Sequence, residues 1–230
     1  MEDQHAIKAI KAALTHDTSV NLRISPIAVR AEGGMIRLEG EVENIAVKRN
    51  ALRIARQAVA SAAVLDNLYV RTNRPRGDDE LKLAVLETLK REPAFAELHF
   101  ASGEAAPPAG IAASAAAGRV TLTGTVPSLS HRRLAEVLAW WTPGTRDVHN
   151  RLHVQPAEHD HDGEITDAIR LVLDKEPALD DEEVHVETEH GAVTLRGRVG
   201  SDTLRAIAAA DCWYVPGVHS VDNRLEVRPG

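Results

Sequence analysis

Two stretches of the chain share one sequence pattern: WWTPGTRDVHNRLHV at residues 140–154 and WYVPGVHSVDNRLEV at residues 213–227. Each begins with an aromatic pair, continues with Pro-Gly and ends in V-x-N-R-L-x-V. Pro-Gly is typical of a turn, and the alternation of apolar and polar residues after it predicts a strand. A shorter form of the closing strand, LDNLYV, lies at residues 65–70. The chain therefore contains an internal repeat whose copies end with a strand.

A second landmark places three copies in register. The segments GMIRLEGEV (34–42), GRVTLTGTV (118–126) and GAVTLRGRV (191–199) share the pattern Gly-x-apolar-x-Leu-x-Gly-x-Val. The distance from the inner glycine to the asparagine of the closing strand is 27, 26 and 26 residues for the pairs Gly40–Asn67, Gly124–Asn150 and Gly197–Asn223. We interpret the inner glycines as positions where a helix backbone approaches the sheet or where a bulge lies. For the asparagines we favour hydrogen bonds to neighbouring backbone or an unusual φ over ligand binding.

The copies are predicted to share one order of elements. Each begins with apolar residues spaced by four, which is typical of one helix face: Ala6, Ile10, Leu14; Leu81, Val85, Leu89; Ile165, Ile169, Leu173. A strand hairpin, a second helix and a third strand follow. This order predicts an α+β fold of three tandem units, each a three-stranded sheet with two helices on one face. We call them repeat 1 (residues 1–73), repeat 2 (78–155, with an inserted loop near 102–110) and repeat 3 (162–230).

The repeated strand and closing segment resemble the BON-domain family, named for osmotically inducible and nodulation-associated bacterial proteins. The resemblance covers nearly the whole chain, and the W-x-x-P-G of the last repeat is similar to soluble bacterial proteins with three tandem BON domains. It implies binding of phospholipid, or attachment and oligomerisation, and a role in bacterial stress adaptation. It implies no enzymatic activity and no cofactor.

Charge and composition narrow the classes of function. The net charge of −7 argues against binding of nucleic acid, which depends on basic residues that neutralise phosphates. Residues 1–73 hold ten basic and eight acidic residues (net +2), whereas residues 161–230 hold seven and fifteen (net −8). No apolar stretch is long enough to span a membrane, and the first residues lack the features of a secretory signal. With a single cysteine, Cys212, these features predict a cytoplasmic protein.

One helix has the features of an anion-binding surface. The second helix of repeat 1 carries Lys48, Arg49, Arg53 and Arg56, and no acidic residue lies between Asn44 and Leu65. Basic residues near an anionic membrane contribute about 1 kcal/mol each. These residues are therefore candidates for binding phospholipid headgroups or a protein partner, and a solvated or ion-paired helix face is the alternative.

Trp140 and Trp213 occupy the same repeat position and are the second candidate. An amphipathic ring suits a partner or membrane surface, but we favour packing in the core of its own repeat or in a contact between two repeats. The cluster His159–Asp160–His161–Asp162 lies in a predicted linker, and we assign no metal site to it. The usual catalytic motifs are absent from the sequence, so we predict no catalytic residue.

The sequence favours a non-enzymatic binding or scaffolding protein that contacts a protein partner or itself. Peripheral binding of anionic phospholipid through the basic helix of repeat 1 is the first alternative. An enzyme or metal protein of unrecognised type is the second.

Overall fold

The computed structural model describes residues 2–59, 63–179 and 183–228. The chain folds into two compact units, Met1–Asn73 and Arg74–Gly230. The first unit is repeat 1. The second holds repeats 2 and 3, which pack against each other.

Repeat 1 has a central strand with one antiparallel and one parallel neighbour. Its elements are α1 (Glu2–His16), β1 (Ile27–Glu32), β2 (Met35–Val42), α2 (Ile45–Ala58) and β3 (Ala63–Val70). Strand β2 pairs antiparallel with β1 and parallel with β3. A parallel pair needs a crossover connection, which α2 provides. Both helices bury their apolar faces on the sheet, and the fully buried side chains include Ile10, Leu14, Ile36, Leu38 and Leu68.

The second compact unit repeats this arrangement twice. Repeat 2 consists of α3 (Asp78–Arg91), β4 (His99–Ser102), β5 (Gly110–Ala116), β6 (Arg119–Val126), α4 (Leu129–Trp141) and β7 (Asp147–Val154). Repeat 3 consists of α5 (Asp162–Leu173), β8 (Glu183–Glu189), β9 (Ala192–Val199), α6 (Asp202–Cys212) and β10 (Ser220–Val227). The predicted α+β class and the three tandem repeats are confirmed, and the order helix-strand-strand-helix-strand holds in repeats 1 and 3 and, with one additional strand, in repeat 2.

Repeat 2 departs from the predicted three-stranded sheet, because its sheet has four strands in the order β4-β5-β6-β7. Strand β4 pairs parallel with β5, at the edge where the described residues of repeats 1 and 3 add no further strand. The extra residues of repeat 2 form the loop between β4 and β5. This loop is long enough for β4 to pair with β5 in parallel orientation. Thr123 donates a hydrogen bond to the carbonyl of Glu104 in this loop, at 2.8 Å. The insertion is thus a loop together with a strand.

The inner glycines keep two strands close together. The backbone that approaches them belongs to a neighbouring strand and not, as predicted, to a helix. A Cβ on Gly40, Gly124 or Gly197 would lie 2.2, 2.1 or 1.8 Å from the carbonyl oxygen of Pro26, Gly110 or Glu183. These carbonyls belong to the antiparallel neighbouring strand or to the residue before it, so no helix backbone makes the approach. All three glycines have φ between 124° and 149°. Only glycine fits such a position without steric conflict.

The first helices of repeats 2 and 3 are held to the hairpin turns by aspartates. Asp78 accepts hydrogen bonds from the backbone N–H groups of Ala117 and Gly118. Asp162 accepts from His190 and Gly191 in the same way. These two backbone hydrogen bonds lower the pKa of Asp162 below its usual value. The acidic residues at the helix starts therefore anchor each helix to its sheet.

Candidate functional site

The strand register corrects the residue assigned to the asparagine position in repeat 1. Leu122 pairs with Asn150 and Leu195 with Asn223. In repeat 1 the equivalent leucine, Leu38, pairs with Asp66, whereas Asn67 pairs with Glu39. The extra residue in the 27-residue spacing of repeat 1 already indicated this shift.

The asparagines of repeats 2 and 3 join the last strand to the second helix. Asn150 donates to the carbonyl of Arg132 at 2.8 Å, and its Oδ1 accepts the N–H of Leu152 at 3.1 Å. Asn223 makes the same two hydrogen bonds, to Arg205 at 2.7 Å and from Leu225 at 3.2 Å. Both strands are edge strands. The amide therefore satisfies an N–H at a sheet edge and removes a pairing group from it.

In repeat 1 a partly buried ion pair connects the last strand to the second helix. Asp66 accepts the N–H of Leu68 at 2.9 Å, but a carboxylate cannot donate to a helix carbonyl. Lys48 of α2 makes the connection between helix and strand instead: its Nζ lies 2.7 Å from Asp66 Oδ2 and also donates to the carbonyl of Leu68 in β3. Lys48 is only 4% exposed. The prediction that Lys48 belongs to an exposed basic surface is therefore wrong, because its ammonium is used inside repeat 1.

The remaining basic residues of α2 lie on one helix face. Arg56 is exposed, and Arg49 and Arg53 are half-buried. Arg53 donates to Gln57 and Asn50 on its own helix. Counted from the helix N-cap Asn44, the three arginines stand at the fifth, ninth and twelfth positions.

The same three positions of α4 form a contact between repeats 2 and 3. Helix α4 begins after the N-cap Ser128, so these positions are Arg133, Val137 and Trp140. All three are buried, with exposures of 4%, 0% and 8%. Val137 belongs to the apolar core of repeat 3 together with the α5 residue Ile165.

Arg133 fixes the linker and the last turn of repeat 3. Its Nη2 lies 2.5 Å from Asp160 Oδ1, and its Nε donates to the carbonyl of Pro216 at 3.2 Å. A second cross-repeat ion pair joins Lys175 to Glu92 at 2.8 Å. These contacts are side-chain specific and hold repeats 2 and 3 in one compact unit.

The two tryptophan candidates have different surroundings. The Trp140 ring lies 6.4 Å from the Tyr214 ring, tilted by 47°, in the contact between repeats 2 and 3. Trp213 is half-buried and packs against the core of its own repeat at the C-cap of α6. Trp140 is therefore not an exposed anchor for a membrane or a partner. The contact between two repeats, weighed as an alternative from sequence, is the arrangement found.

In α6 the equivalent face remains accessible. Counted from the N-cap Ser201, the three positions are Ala206, Ala210 and Trp213. Both alanines are exposed and Trp213 is half-buried. The same three positions therefore differ in chemistry between the repeats: they hold arginines in α2, a buried inter-repeat contact in α4, and two alanines with a tryptophan in α6. Sequence reasoning missed Arg133, although aligning the second helices on their N-caps would have placed it beside Arg49.

Cys212 and Asp211 at the end of α6 are buried titratable groups. Burial, followed by the nearby Asp211 charge, raises the pKa of Cys212 to about 12, so the thiol is protonated and unreactive at neutral pH. Burial and the neighbouring charge of Glu176 raise the pKa of Asp211 to about 7. Asp211 Oδ2 has no hydrogen-bond partner within the described residues.

The linker aspartates are used in structural contacts. Asp160 pairs with Arg133, and Asp162 binds the β8–β9 turn. Across residues 2–59, 63–179 and 183–228, no group of three or more His, Cys, Asp or Glu side chains is placed to hold a metal ion. In the same described part of the chain, no helix combines the length and apolar character needed to cross a bilayer.

Three copies of one α-β-β-α-β unit, each with a glycine-bearing central strand, define a tandem repeat protein. The BON domain matches residues 2–72, 78–156 and 161–229, and the chain belongs to the BON domain family. No curated protein matches it.

Solved structures with some similarity include two domains from type III secretion systems. The C-terminal domain of CdsD, a structural protein of the type III secretion system of Chlamydia trachomatis, is 16% identical over 97% of each chain, with a TM-score of 0.26. The periplasmic domain of PrgH, a type III secretion inner membrane protein from S. typhimurium, is 13% identical over 88% of this chain and 99% of its own, with a TM-score of 0.25. A TM-score this low says nothing about the function of this chain.

Proposed function

We propose that this chain is a non-enzymatic scaffold that binds protein chains through the outer faces of its second helices α2 and α6. The observation that carries the proposal is the α4 contact, in which Arg133, Val137 and Trp140 dock one BON repeat onto another. The face lies opposite the side of the helix that packs on its own sheet. A surface that already recognises a folded repeat within the chain is suited to recognise another protein.

The non-enzymatic part of the proposal rests on membership of the BON family and on the absence of catalytic motifs from the sequence. Arg133 and Asp160, two charged groups whose chemistry could serve a site, are used in holding repeats together.

Site-specific photo-crosslinking in cells tests the proposal. A photoreactive residue replaces the exposed Thr203, which lies on the outer face of α6, and a control places it at the exposed Asp222 on the open face of the sheet. We expect discrete protein adducts from position 203 and not from position 222. Adducts with lipid alone, or equal adducts from both positions, would contradict the proposal.

Binding of anionic phospholipid is the second candidate, because α2 carries three arginines on one face and no acidic residue in its first turn. The loss of Lys48 from the surface weakens it. Vesicle flotation of the full chain compares anionic with neutral lipid at two salt concentrations. Salt-sensitive flotation that disappears in an Arg49→Glu, Arg53→Glu, Arg56→Glu variant would favour lipid over protein.

Three further predictions from sequence belong to this proposal. Cell fractionation checks the cytoplasmic location, and growth of a deletion strain after osmotic shock checks the role in stress adaptation. A binding titration with DNA and RNA checks the expectation that the acidic chain binds no nucleic acid.

A further inference from the structure

Repeat 2 has an open groove where the first turn of α4 meets the end of β7. We call it the β7 groove; its volume is about 550 Å³, and its lining includes Leu129, Arg132, Arg151, His153 and Glu158. Asn150 donates a hydrogen bond to the carbonyl of Arg132 at 2.8 Å. This bond ties the helix residue Arg132 to the strand segment that carries Arg151, so both arginines border one groove.

The two arginines of the groove are exposed cations. In the part of the chain that the structure describes, neither Arg132 nor Arg151 forms an ion pair. Two charges of one sign beside a groove raise the potential inside it and attract groups of the opposite sign. The β7 groove therefore favours an anionic ligand, although the chain as a whole has a net charge of −7.

Repeat 3 has arginines at the same two positions, and there each one is neutralised. The positions correspond because each helix arginine stands four residues after its N-cap and each strand arginine directly follows the asparagine. On α6, Arg205 pairs with Asp202 at 2.8 Å. On β10, Arg224 pairs with Asp222 at 2.6 Å. Repeat 3 therefore satisfies both guanidinium groups with acids of its own.

The sequence of repeat 2 has no acid at either partner position. Leu129 stands where α6 has Asp202, and His149 stands where β10 has Asp222. Neither leucine nor histidine carries a negative charge at any pH. Repeat 2 thus keeps the two arginines and replaces the two acids that neutralise them in repeat 3.

The chain itself places one carboxylate in the β7 groove. Glu158, in the linker before α5, accepts the backbone N–H of Leu129 at 2.7 Å. Asp160, two residues further along, pairs with Arg133. A polypeptide segment with two acidic side chains is therefore already bound to the first turn of α4. It leaves the arginines at the border of the groove available for further carboxylates.

We propose that the β7 groove binds an acidic, extended segment of a partner protein, whose carboxylates pair with Arg132 and Arg151 beside Glu158. Guanidinium groups bind carboxylates through charge-assisted and often bidentate hydrogen bonds. Asn150 already accepts the N–H of Leu152 at this sheet edge, so recognition depends on side chains and not on strand addition. The proposal goes beyond the function given above, because the groove is separate from the outer faces of α2 and α6.

An NMR titration of the full, isotope-labelled chain tests the proposal. The probe is a short acetylated and amidated peptide in which glutamate and alanine alternate, and the same peptide with glutamine in place of glutamate is its control. We expect the glutamate peptide alone to shift the backbone signals of Leu129 and of residues 151–154. Added salt should weaken this binding, because it screens exposed charges.

Equivalent positions in two repeats supply matched variants. The double variant Arg132→Gln, Arg151→Gln removes both cations of the groove, and we expect it to bind the glutamate peptide at least about tenfold more weakly. The double variant Arg205→Gln, Arg224→Gln makes the same change in net charge on repeat 3 and should stay within about twofold of the wild type.

A third variant tests the role of the resident carboxylate. Glu158→Gln removes a negative charge from the groove and should strengthen binding of the glutamate peptide by about two- to fivefold. Unshifted signals outside the groove show that each variant is folded.

Four outcomes would overturn the proposal. An absence of shifts at millimolar peptide would show that the groove binds no acidic segment. Equal losses in the two double variants would show attraction to the total charge, and equal binding of the glutamine peptide would remove the role of the carboxylates. Inorganic phosphate that shifts the same signals at lower concentration than the peptide would assign the groove to phosphate ligands. The crosslinking experiment on α6 tests its own surface independently of all four.

Discussion

Gly124 shows how one missing Cβ sets the spacing of two strands. A methyl group there would lie 2.1 Å from the carbonyl oxygen of Gly110 on the neighbouring strand. Neither backbone can move without breaking the sheet ladder. The glycine of this motif is therefore a steric requirement, repeated in Gly40 and Gly197.

We expect Gly124→Ala to lower the free energy of unfolding by more than about 3 kcal/mol, because strain and overpacking act together. Gly103→Ala is the matched control: its φ of 110° is similar to the 127° of Gly124, but a Cβ there has open space. The control should cost about 1 kcal/mol. Urea unfolding followed by tryptophan fluorescence measures both, and equal losses would show that φ alone matters.

Asp211 makes stability depend on pH. Its pKa is raised from 3.8 to about 7 in the folded chain, so folding favours the protonated carboxyl. The contribution is fully present below about pH 4 and is lost as pH rises through 7. Asp211→Asn removes the ionisable group, so we expect a gain of about 2 kcal/mol at pH 8, after allowance for solvent screening, and little change at pH 4.

Urea unfolding at several pH values measures this effect, with Asp174→Asn at an exposed position as the control. A gain from Asp211→Asn that is the same at pH 4 and pH 8 would contradict the assignment to ionisation.

At the scale of elements, the contact of α4 with repeat 3 depends on a buried guanidinium. Arg133 forms an ion pair with Asp160 in the linker before α5 and donates a hydrogen bond to the carbonyl of Pro216, which lies between α6 and β10. Loss of one partner of a buried pair leaves the other groups without compensation. Asp160 is largely exposed and can return to water, which limits the loss.

We expect Arg133→Ala to destabilise the contact between repeats 2 and 3 by about 1–3 kcal/mol. The neighbouring Arg132 is exposed and makes no ion pair within the described residues, so Arg132→Ala should cost less than about 0.5 kcal/mol. Trp140 and Trp141 lie on the same helix, about two turns from Arg133, so the fluorescence midpoint in urea reports the change. Equal midpoints for the two variants would contradict the role of Arg133.

At the scale of the whole molecule, all three tryptophans lie in the compact unit Arg74–Gly230, and Met1–Asn73 has none. Each unit has its own apolar core. Tryptophan fluorescence therefore follows the unfolding of Arg74–Gly230 alone, whereas circular dichroism follows the unfolding of both units.

We expect Leu14→Ala, in the core of repeat 1, to lower one transition in circular dichroism and leave the fluorescence transition unchanged. Loss of a buried leucine side chain costs about 2–5 kcal/mol. Leu173→Ala, at the equivalent position of repeat 3, should shift the fluorescence transition. Fluorescence midpoints that move together in both variants would show that the two units unfold as one.

The amino-acid sequence by itself determined the repeat, its α-β-β-α-β order and the family. These features follow from local periodicity and from turn residues, which act over a few positions and survive in every copy. It also marked the inner glycines and the asparagines of repeats 2 and 3. In repeat 1 the sequence pattern indicated Asn67, but Asp66 occupies the position of the asparagine. Asp66 and Lys48 together replace the amide, and this replacement becomes visible only in the contact between α2 and β3.

Tertiary structure alone decided which helix faces are occupied. Arg49, Arg133 and Ala206 stand at one repeat position, yet their surroundings differ: the packing of repeats 2 and 3 buries Arg133 beside Asp160, whereas Ala206 is exposed. Strand β4 likewise forms through its pairing with β5, a strand that lies beyond the inserted loop in the sequence. Burial and pairing at such positions depend on residues distant along the chain, so their free energies are set by packing and not by local sequence.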